Sequence, residues 1–283
     1  MSAPRNIDYL LEEIITLPSL PATVARILEL LNDPDSSLSE VGKIVSGDPA
    51  IALKTLRLVN SAAYGLRGRV TSVEHAVTLL GAKVIQNLVL TATVLDTLSS
   101  GARLLFQHSI AAGVAARSIM RSHIFGNVLD PEEAFAYGLL HDIGKIILED
   151  YMSDELVQAE DLSRVQGLPG HVAEREVIGV DHAEIGGRLA MNWRLPDSIA
   201  AAIMAHHDLA RCKDDEYLPY AAMLNAADTI CVAAGLPSYE GAVADDANGA
   251  WQVLGITSPQ IPAILDDFFA SIPEVEELTE AVS

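Results

Sequence analysis

Histidine and aspartate side chains recur along this sequence in an order able to build a metal site. Five of the eight histidines belong to the series. Its members are His108, the pair His141-Asp142, His182, the pair His206-His207, and Asp228. Imidazole and carboxylate groups supplied by several segments are the ligands of metal centres for phosphoester chemistry. The series therefore predicts a buried site for one or two divalent transition metal ions.

Each of these groups interrupts an apolar stretch rich in Ala and Leu. His141-Asp142 lies in LLHDIGKIIL, which we predict to be the middle of an apolar helix, and His206-His207 follows IAAAIMA. A charged Asp142 is costly among apolar side chains unless it is paired or bound to a metal. A lone histidine is more often a satisfied core or surface group, but five in one series beside an aspartate weaken that interpretation.

The histidine pair also restricts where a shared centre can lie. Neighbouring residues on a helix point about 100° apart, so His206 and His207 reach one centre only if it lies against the helix rather than beyond its end. Imidazole ligands need an acceptor for the second ring nitrogen. Asp181, Glu184 and Asp208 are candidates for that role because they are close in sequence.

Three further histidines, His75, His123 and His171, belong to no such series. Histidines of this kind are usually at least partly exposed. We therefore predict solvated or capping roles for all three of them.

The charge balance restricts the classes of partner. Lys and Arg number 18 against 39 Asp and Glu, a formal charge of −21. Such a surface repels phosphate backbones, so we expect neither nucleic acid nor an anionic membrane as the main partner. The sequence starts without a basic segment followed by an apolar core, and no apolar run reaches the roughly 18 residues of a membrane span. We therefore expect a cytoplasmic protein.

Helical periodicity recurs along the chain, and no segment shows sustained alternation of period two. Asp48-Pro49 and Asp181 are typical of helix starts. A polar stretch from Ser153 to Gly170 separates two apolar patterns. We predict an all-α fold of two packed helical subdomains, the second of them a helical bundle.

We place the boundary between the subdomains at about residue 100, where ionisable residues begin to enter the apolar faces. Residues 1–100 then form the amino-terminal subdomain, and residues 101–235 form the metal-binding subdomain. Residues 236–283 form a helical or irregular extension. Its acidic end, from Pro273 onward, is expected to fray.

Two groups of motifs resemble a known family. The first group resembles the H…HD…D signature of the HD superfamily of metal-dependent phosphohydrolases. The matching residues are His108, His141-Asp142 and Asp228. His182 and His206-His207 are similar to the additional histidines of its dinuclear branch, which includes the HD-GYP cyclic dinucleotide phosphodiesterases. Residues 17–65 and 72–90 resemble the HDOD domain, the HD-related output domain of bacterial signalling. The resemblance covers roughly residues 10–230.

The resemblance implies a role for each residue. The first ion would be held by His108, His141, Asp142 and Asp228, with Asp142 bridging two ions. His182, His206 and His207 would complete a second site. Lys145 lies one turn after His141 and matches a lysine that contacts phosphate in the dinuclear enzymes, although an ordinary solvated lysine fits this position equally well. Ligand type does not choose among Fe, Mn, Zn and Ni.

This sequence departs from the HD-GYP pattern in two places. Nothing like Gly-Tyr-Pro follows the histidine pair, and Leu104 stands where trinuclear members carry a glutamate ligand. A third metal is therefore not expected, and cyclic dinucleotide hydrolysis loses its most specific support.

Three functions remain to be compared. The first is a signalling module that retains its metal site. The second is an active phosphohydrolase acting on a nucleotide or cyclic nucleotide, with Asp142 and Lys145 as its catalytic groups. The third is a structural scaffold, against which the intact ligands argue. The HDOD resemblance and the missing motif favour the first. It implies a partner protein bound through the amino-terminal half and a phosphate-containing small molecule as a candidate ligand.

Overall fold

Helices form all the regular structure in the part of the chain described by the structure, a computed structural model. It describes residues 26, 30, 38–60, 69–81, 84–85, 88–89, 92, 103–122 and 129–280. The helices are α1 (Leu38–Ser46), α2 (Pro49–Val59), α3 (Val73–Leu80), α4 (Arg103–Arg121), α5 (Pro131–Leu140), α6 (Ile143–Gln166), α7 (Gly170–Val177), α8 (His182–Asn192), α9 (Asp197–Ala205), α10 (Leu218–Ala233), α11 (Asn248–Val253), α12 (Ile261–Ala270) and α13 (Ile272–Glu280). The predicted all-α fold is confirmed.

The helix starts read from the sequence are observed. The backbone N–H of Ile51 donates to Asp48 Oδ1 at 3.2 Å, and α2 begins at Pro49. The N–H of Glu184 donates to Asp181 Oδ1 at 2.8 Å at the start of α8. Each carboxylate satisfies a backbone donor that has no partner inside the helix, which fixes where the helix begins.

The chain divides into two compact units. One comprises residues 1–19 and 140–257, and the other comprises residues 20–139 and 258–283. In the first unit, α8 packs against α6 and α9, α10 packs against α9 and α11, and α7 packs against α6. The boundaries predicted at about residues 100 and 235 remain predictions.

The second unit contains α1–α3, which pack on one another, and α4, which packs against α12 and α13. Nearly every residue of α4 is buried, including the polar side chains of His108 and Arg117. The side chain of Arg117 on α4 pairs with Glu274 on α13 and lies over the ring of Phe135.

As far as Glu280, the last described residue, the acidic end of the chain does not fray as predicted. Residues up to Glu280 form α13, which buries Val275 and Leu278. These two side chains are three positions apart, so they share one face of the helix. The apolar face and the ion pair with Arg117 together hold α13 against α4.

The predicted role of His123 lies outside the described residues. Among the helices that are described, none is both long enough and apolar enough to cross a bilayer.

Candidate metal centre

His141 and Asp142 lie in a turn between two helices, and not in the middle of one helix as predicted. The α5 helix ends at Leu140 and α6 begins at Ile143. Asp142 has φ −98° and ψ 13°, and its side chain makes no cap hydrogen bond. The break frees the carboxylate from helix geometry, so that it points into the unit, where only 2% of the residue is exposed.

The neighbouring helix α8 approaches this turn at Gly144. A Cβ atom at residue 144 would lie 2.0 Å from the carbonyl oxygen of His182, so only glycine permits the contact. The close approach brings the first residue of α8 against the first turn of α6. As a result, His182 Nε2 lies 3.0 Å from Asp142 Oδ1.

The histidine pair follows the end of α9 directly. The helix ends at Ala205, and His206 is its C-cap. Asn225 on α10 donates from Nδ2 to the carbonyl oxygen of His206 at 2.8 Å, which fixes the turn. Because the helix stops here, both imidazoles reach the same region, with ring centroids 4.0 Å apart.

Three histidines, His182, His206 and His207, each have an oxygen acceptor at Nδ1. The ring of His182 lies 2.6 Å from Glu174 Oε2, that of His206 lies 2.6 Å from the carbonyl oxygen of Ile203, and that of His207 lies 2.8 Å from Asp245 Oδ2. An acceptor at Nδ1 favours the tautomer with its proton there and leaves the Nε2 lone pair available to a metal.

The ring nitrogens of these histidines converge. His182, His206 and His207 each offer a ligand atom, and these atoms lie within 4.8 Å of one another. The Nε2 atoms of His182 and His207 are 3.0 Å apart. His206 Nε2 is buried and has no hydrogen-bond partner among the described residues. A buried acceptor of this kind is costly unless something binds it, so the arrangement fits a metal ion.

Two carboxylates lie on the other side of the group. His141 Nε2 is 3.5 Å from Asp142 Oδ2 and 4.0 Å from Asp228 Oδ1. The rings of His141 and His206 meet edge to face, 5.3 Å apart. Carboxylate and imidazole groups, which are ligand types of metal centres, therefore adjoin the three histidines.

Lys145 is an internal partner of this centre. Its Nζ donates to Asp142 Oδ2 at 2.6 Å and to Ser238 Oγ at 2.8 Å. Burial would raise the pKa of Asp142, but the charges of His141 and Lys145 hold it well below its usual range. Burial would lower the pKa of Lys145, whereas the carboxylates of Asp142 and Glu174 raise it. Both groups are therefore charged at neutral pH.

The histidines differ in charge. Burial would lower the pKa of His182, but the Glu174 carboxylate raises it to about 9. Burial and the charge of His141 lower the pKa of His206 to about 3. Burial and the charge of His206 lower that of His207 well below its usual range. At neutral pH His206 and His207 are thus in the form that binds metals, and His182 must first lose a proton.

A pocket opens onto the centre. It has an empty volume of about 320 Å³, open solvent included, and its lining contains Lys145, His171, His182, His207, Ser238 and Tyr239. The Tyr239 hydroxyl donates to Ser163 Oγ, because that serine uses its own proton on the carbonyl oxygen of Leu168. A ligand in the pocket would meet both Lys145 and the imidazoles.

Six of the seven predicted ligands come together within the unit of residues 140–257. They are His141, Asp142, His182, His206, His207 and Asp228. His108 belongs to the other unit, where it is fully buried on α4. Its role as a ligand remains a prediction.

The acceptors proposed from sequence proximity are wrong. Asp181 pairs with Arg175 and Arg211 and caps α8. Glu184 pairs with Arg188, and Asp208 caps a short 3-10 helix (Leu209–Arg211). The acceptors observed are Glu174, Asp245 and the carbonyl oxygen of Ile203. A solvated or capping role was also predicted for His171, but it lies within α7, whose N-cap is Pro169, is only 7% exposed and stacks on His207 at 4.3 Å.

Comparison with known proteins identifies the family. The sequence profile of the HDOD domain matches residues 17–209. A protein of Treponema pallidum (strain Nichols), described as uncharacterized, is 28% identical over 232 residues, which are 77% of this chain and 45% of that protein. The chain thus spans less than half the length of this relative.

Solved structures share the fold. An HDOD domain protein of unknown function from Geobacter sulfurreducens has a TM-score of 0.78 and 26% identity over 95% of this chain and 97% of its own. A protein of Shewanella amazonensis SB2B, described provisionally as a phosphohydrolase, has a TM-score of 0.77 and 23% identity over 97% and 98%. This all-α chain with a histidine-rich centre belongs to the HDOD domain family.

Proposed function

We propose that this protein is a regulatory module of bacterial signal transduction whose histidine-rich centre binds one or two divalent transition metal ions. His182, His206 and His207 hold one ion. His141, Asp142 and Asp228 adjoin it and supply ligands for a second. The ions could be Fe, Mn, Zn or Ni, since the donor set suits all four.

The buried Nε2 of His206 carries this proposal. Its Nδ1 donates to the carbonyl oxygen of Ile203, so Nε2 presents a lone pair toward the cluster. It has no hydrogen-bond partner among the described residues. Leaving such an atom unsatisfied costs about 1–3 kcal/mol. A metal ion removes that cost, and two further imidazoles lie within reach of the same ion.

The centre is also suited to an anionic ligand. The chain carries a formal charge of −21, so a phosphate group needs a local positive charge to bind. A bound divalent ion supplies such a charge to phosphate oxygens. Lys145 adds a second positive group at the wall of the pocket. We therefore infer that a phosphate-containing small molecule is the regulatory ligand.

A phosphohydrolase is the second candidate function. The observation in its favour is the pocket, because Lys145 and His207 line it and are partly exposed to solvent. In that case Lys145 and Asp142 would be catalytic groups, with Lys145 stabilising charge on the phosphoryl oxygens. The regulatory function is preferred because residues 1–100 add no catalytic group and no Gly-Tyr-Pro motif follows His207.

The test is metal analysis of protein purified without an affinity tag, together with a panel of phosphoester substrates. We expect one or two transition metal ions per chain and no turnover. The His206→Ala variant should lose metal, and His75→Ala should not, because His75 is exposed on α3. Equal metal content in both variants would refute the metal site. Metal-dependent turnover lost in His206→Ala would establish the enzyme instead.

A partner protein bound through residues 1–100 completes the proposal. Cross-linking of the full chain in cell extract, followed by mass spectrometry, should place the cross-links of one protein in this half. Cross-links confined to residues 140–257 would contradict the assignment.

A further inference from the structure

The segment between α10 and α11, residues 236–247, lies at the candidate metal centre. We call it the strap. It has no regular helix, and it begins beyond the residues matched by the HDOD profile, which ends at residue 209. Ser238, Tyr239 and Asp245 of the strap all line the pocket.

Asp245 contacts the nitrogen of His207 that faces away from His182. Its Oδ2 lies 2.8 Å from His207 Nδ1, while His207 Nε2 lies 3.0 Å from His182 Nε2. The two nitrogens of an imidazole point in diverging directions. An ion bound at Nε2 is therefore out of reach of Asp245, which acts on the centre through the ring.

A second contact fixes the plane of the same ring. His171 stacks on His207 with ring centroids 4.3 Å apart and planes 12° apart. His171 Nδ1 is 3.6 Å from Asp245 Oδ2, too far for a hydrogen bond. His171 thus restrains the face of the His207 ring, and Asp245 restrains its rotation and its proton.

The strap also holds the lysine of the pocket. Ser238 Oγ accepts a hydrogen bond from Lys145 Nζ at 2.8 Å. One short segment therefore contacts both a predicted metal ligand and the predicted phosphate-binding group. This double contact argues that the strap belongs to the working site and is not a connection between helices alone.

We propose that Asp245 is a positioning residue for the metal centre. It keeps the His207 proton on Nδ1 and directs the Nε2 lone pair at the ion. The part of this inference that concerns the ion rests on the proposed function. The part that concerns the tautomer of His207 does not.

The experiment compares Asp245→Asn with Asp246→Asn. Both variants remove one negative charge from the strap, but Asp246 is exposed and its carboxylate accepts from the N–H of Asn248. Zinc affinity is measured by competition with a chelator. Outer contacts of this kind change metal affinity about 10–100-fold. We expect that loss in Asp245→Asn and wild-type affinity in Asp246→Asn.

Two further measurements separate positioning from structure. Nitrogen NMR of the imidazoles in chelator-treated protein, assigned with His207→Gln, reports the tautomer. We expect the Nδ1-protonated form in wild type and Asp246→Asn, and a mixture of forms in Asp245→Asn. Urea unfolding of the same samples should show no loss of stability in either variant, because a structural role would lower stability without changing the tautomer.

The outcomes are distinguishable. An unchanged tautomer and affinity in Asp245→Asn would overturn the inference. So would a loss of affinity accompanied only by a loss of stability. If wild-type protein binds no zinc or other transition metal, the proposed function fails. The NMR comparison still decides whether Asp245 sets the tautomer of His207.

Discussion

The proton on His182 makes the stability of the chelator-treated protein fall as the pH rises. The Glu174 carboxylate lies 2.6 Å from Nδ1 and outweighs burial, raising the pKa of His182 to about 9. In the unfolded chain the pKa is about 6.5. This raised pKa contributes stability that is fully present below pH 6.5 and is lost as the pH rises through 9. The expected slope is about 1.4 kcal/mol per pH unit.

Below pH 6.5 the slope of stability against pH has the opposite sign. Burial, with the charge of His182, lowers the pKa of His171 to about 4, and His206 and His207 are lowered as well. Below pH 6.5 these three histidines take up protons only in the unfolded chain, so stability falls. Burial raises the pKa of Asp245 to about 6, so this carboxyl takes up a proton in the folded chain between pH 6 and 4. That uptake offsets the effect of one of the three histidines on stability. Stability should therefore fall with falling pH more steeply than it falls with rising pH on the alkaline side.

A maximum of stability near pH 6.5 follows from the two slopes. Metal binding should show the reverse trend on the alkaline side, because His182 must lose its proton to become a ligand. Metal affinity should therefore rise about tenfold per pH unit from 6.5 to 9 and then level off.

The assay is urea unfolding followed by tryptophan fluorescence from pH 5 to 9.5, with chelator and with saturating zinc. The Glu174→Gln variant should lose the alkaline slope, because its side chain still accepts hydrogen bonds but carries no charge. Glu176→Gln is the matched control, since this neighbour is exposed. A stability curve that is flat between pH 6.5 and 9 in chelator-treated wild type would refute the argument.

Three other changes test the packing around the centre. Gly144→Ala should cost at least about 2 kcal/mol in urea unfolding, because its Cβ would lie 2.0 Å from the His182 carbonyl oxygen, whereas Gly249→Ala has open space and should be neutral or stabilising. Arg117→Ala should cost about 3 kcal/mol by the same measurement, because it leaves a largely buried carboxylate on α13 without its partner. Asp142→Ala should lower metal per chain more than it lowers the melting temperature, and unchanged metal content would show that Asp142 is not a ligand.

The candidate ligands could be found in the sequence because they are polar residues within apolar runs. His141-Asp142 and His206-His207 interrupt apolar runs, and polar groups in such runs need a physical reason. The helix caps at Asp48 and Asp181 could be found because capping is local, so the residues that make the contact are three positions apart.

The break at His141-Asp142 could not be found in the same way. The apolar pattern continues through LLHDIGKIIL, and no proline marks an end there. The close contact of Gly144 with His182 is a tertiary requirement, because it depends on how α8 packs against α6. Periodicity reports which residues are apolar, and it does not report where two helices must touch.

The acceptors of the histidines were missed for a related reason. Glu174 is eight residues from His182, and Asp245 is 38 residues from His207. Sequence proximity instead suggested Asp181, whose carboxylate is already engaged by Arg175 and Arg211. A carboxylate surrounded by arginines is satisfied, so it has little to offer a further imidazole.

The observed acceptors also explain how the centre can exchange a proton for an ion. Glu174 and Asp245 engage Nδ1 of His182 and His207, so a cation at either Nε2 is balanced by a carboxylate across the ring. In chelator-treated protein, the positive charge balanced by Glu174 is the extra proton on His182, whose Nε2 lies 3.0 Å from Asp142 Oδ1. A divalent ion would replace it while the acceptors stay in place. Metal binding should therefore alter charge and stability more than it alters the fold of this unit.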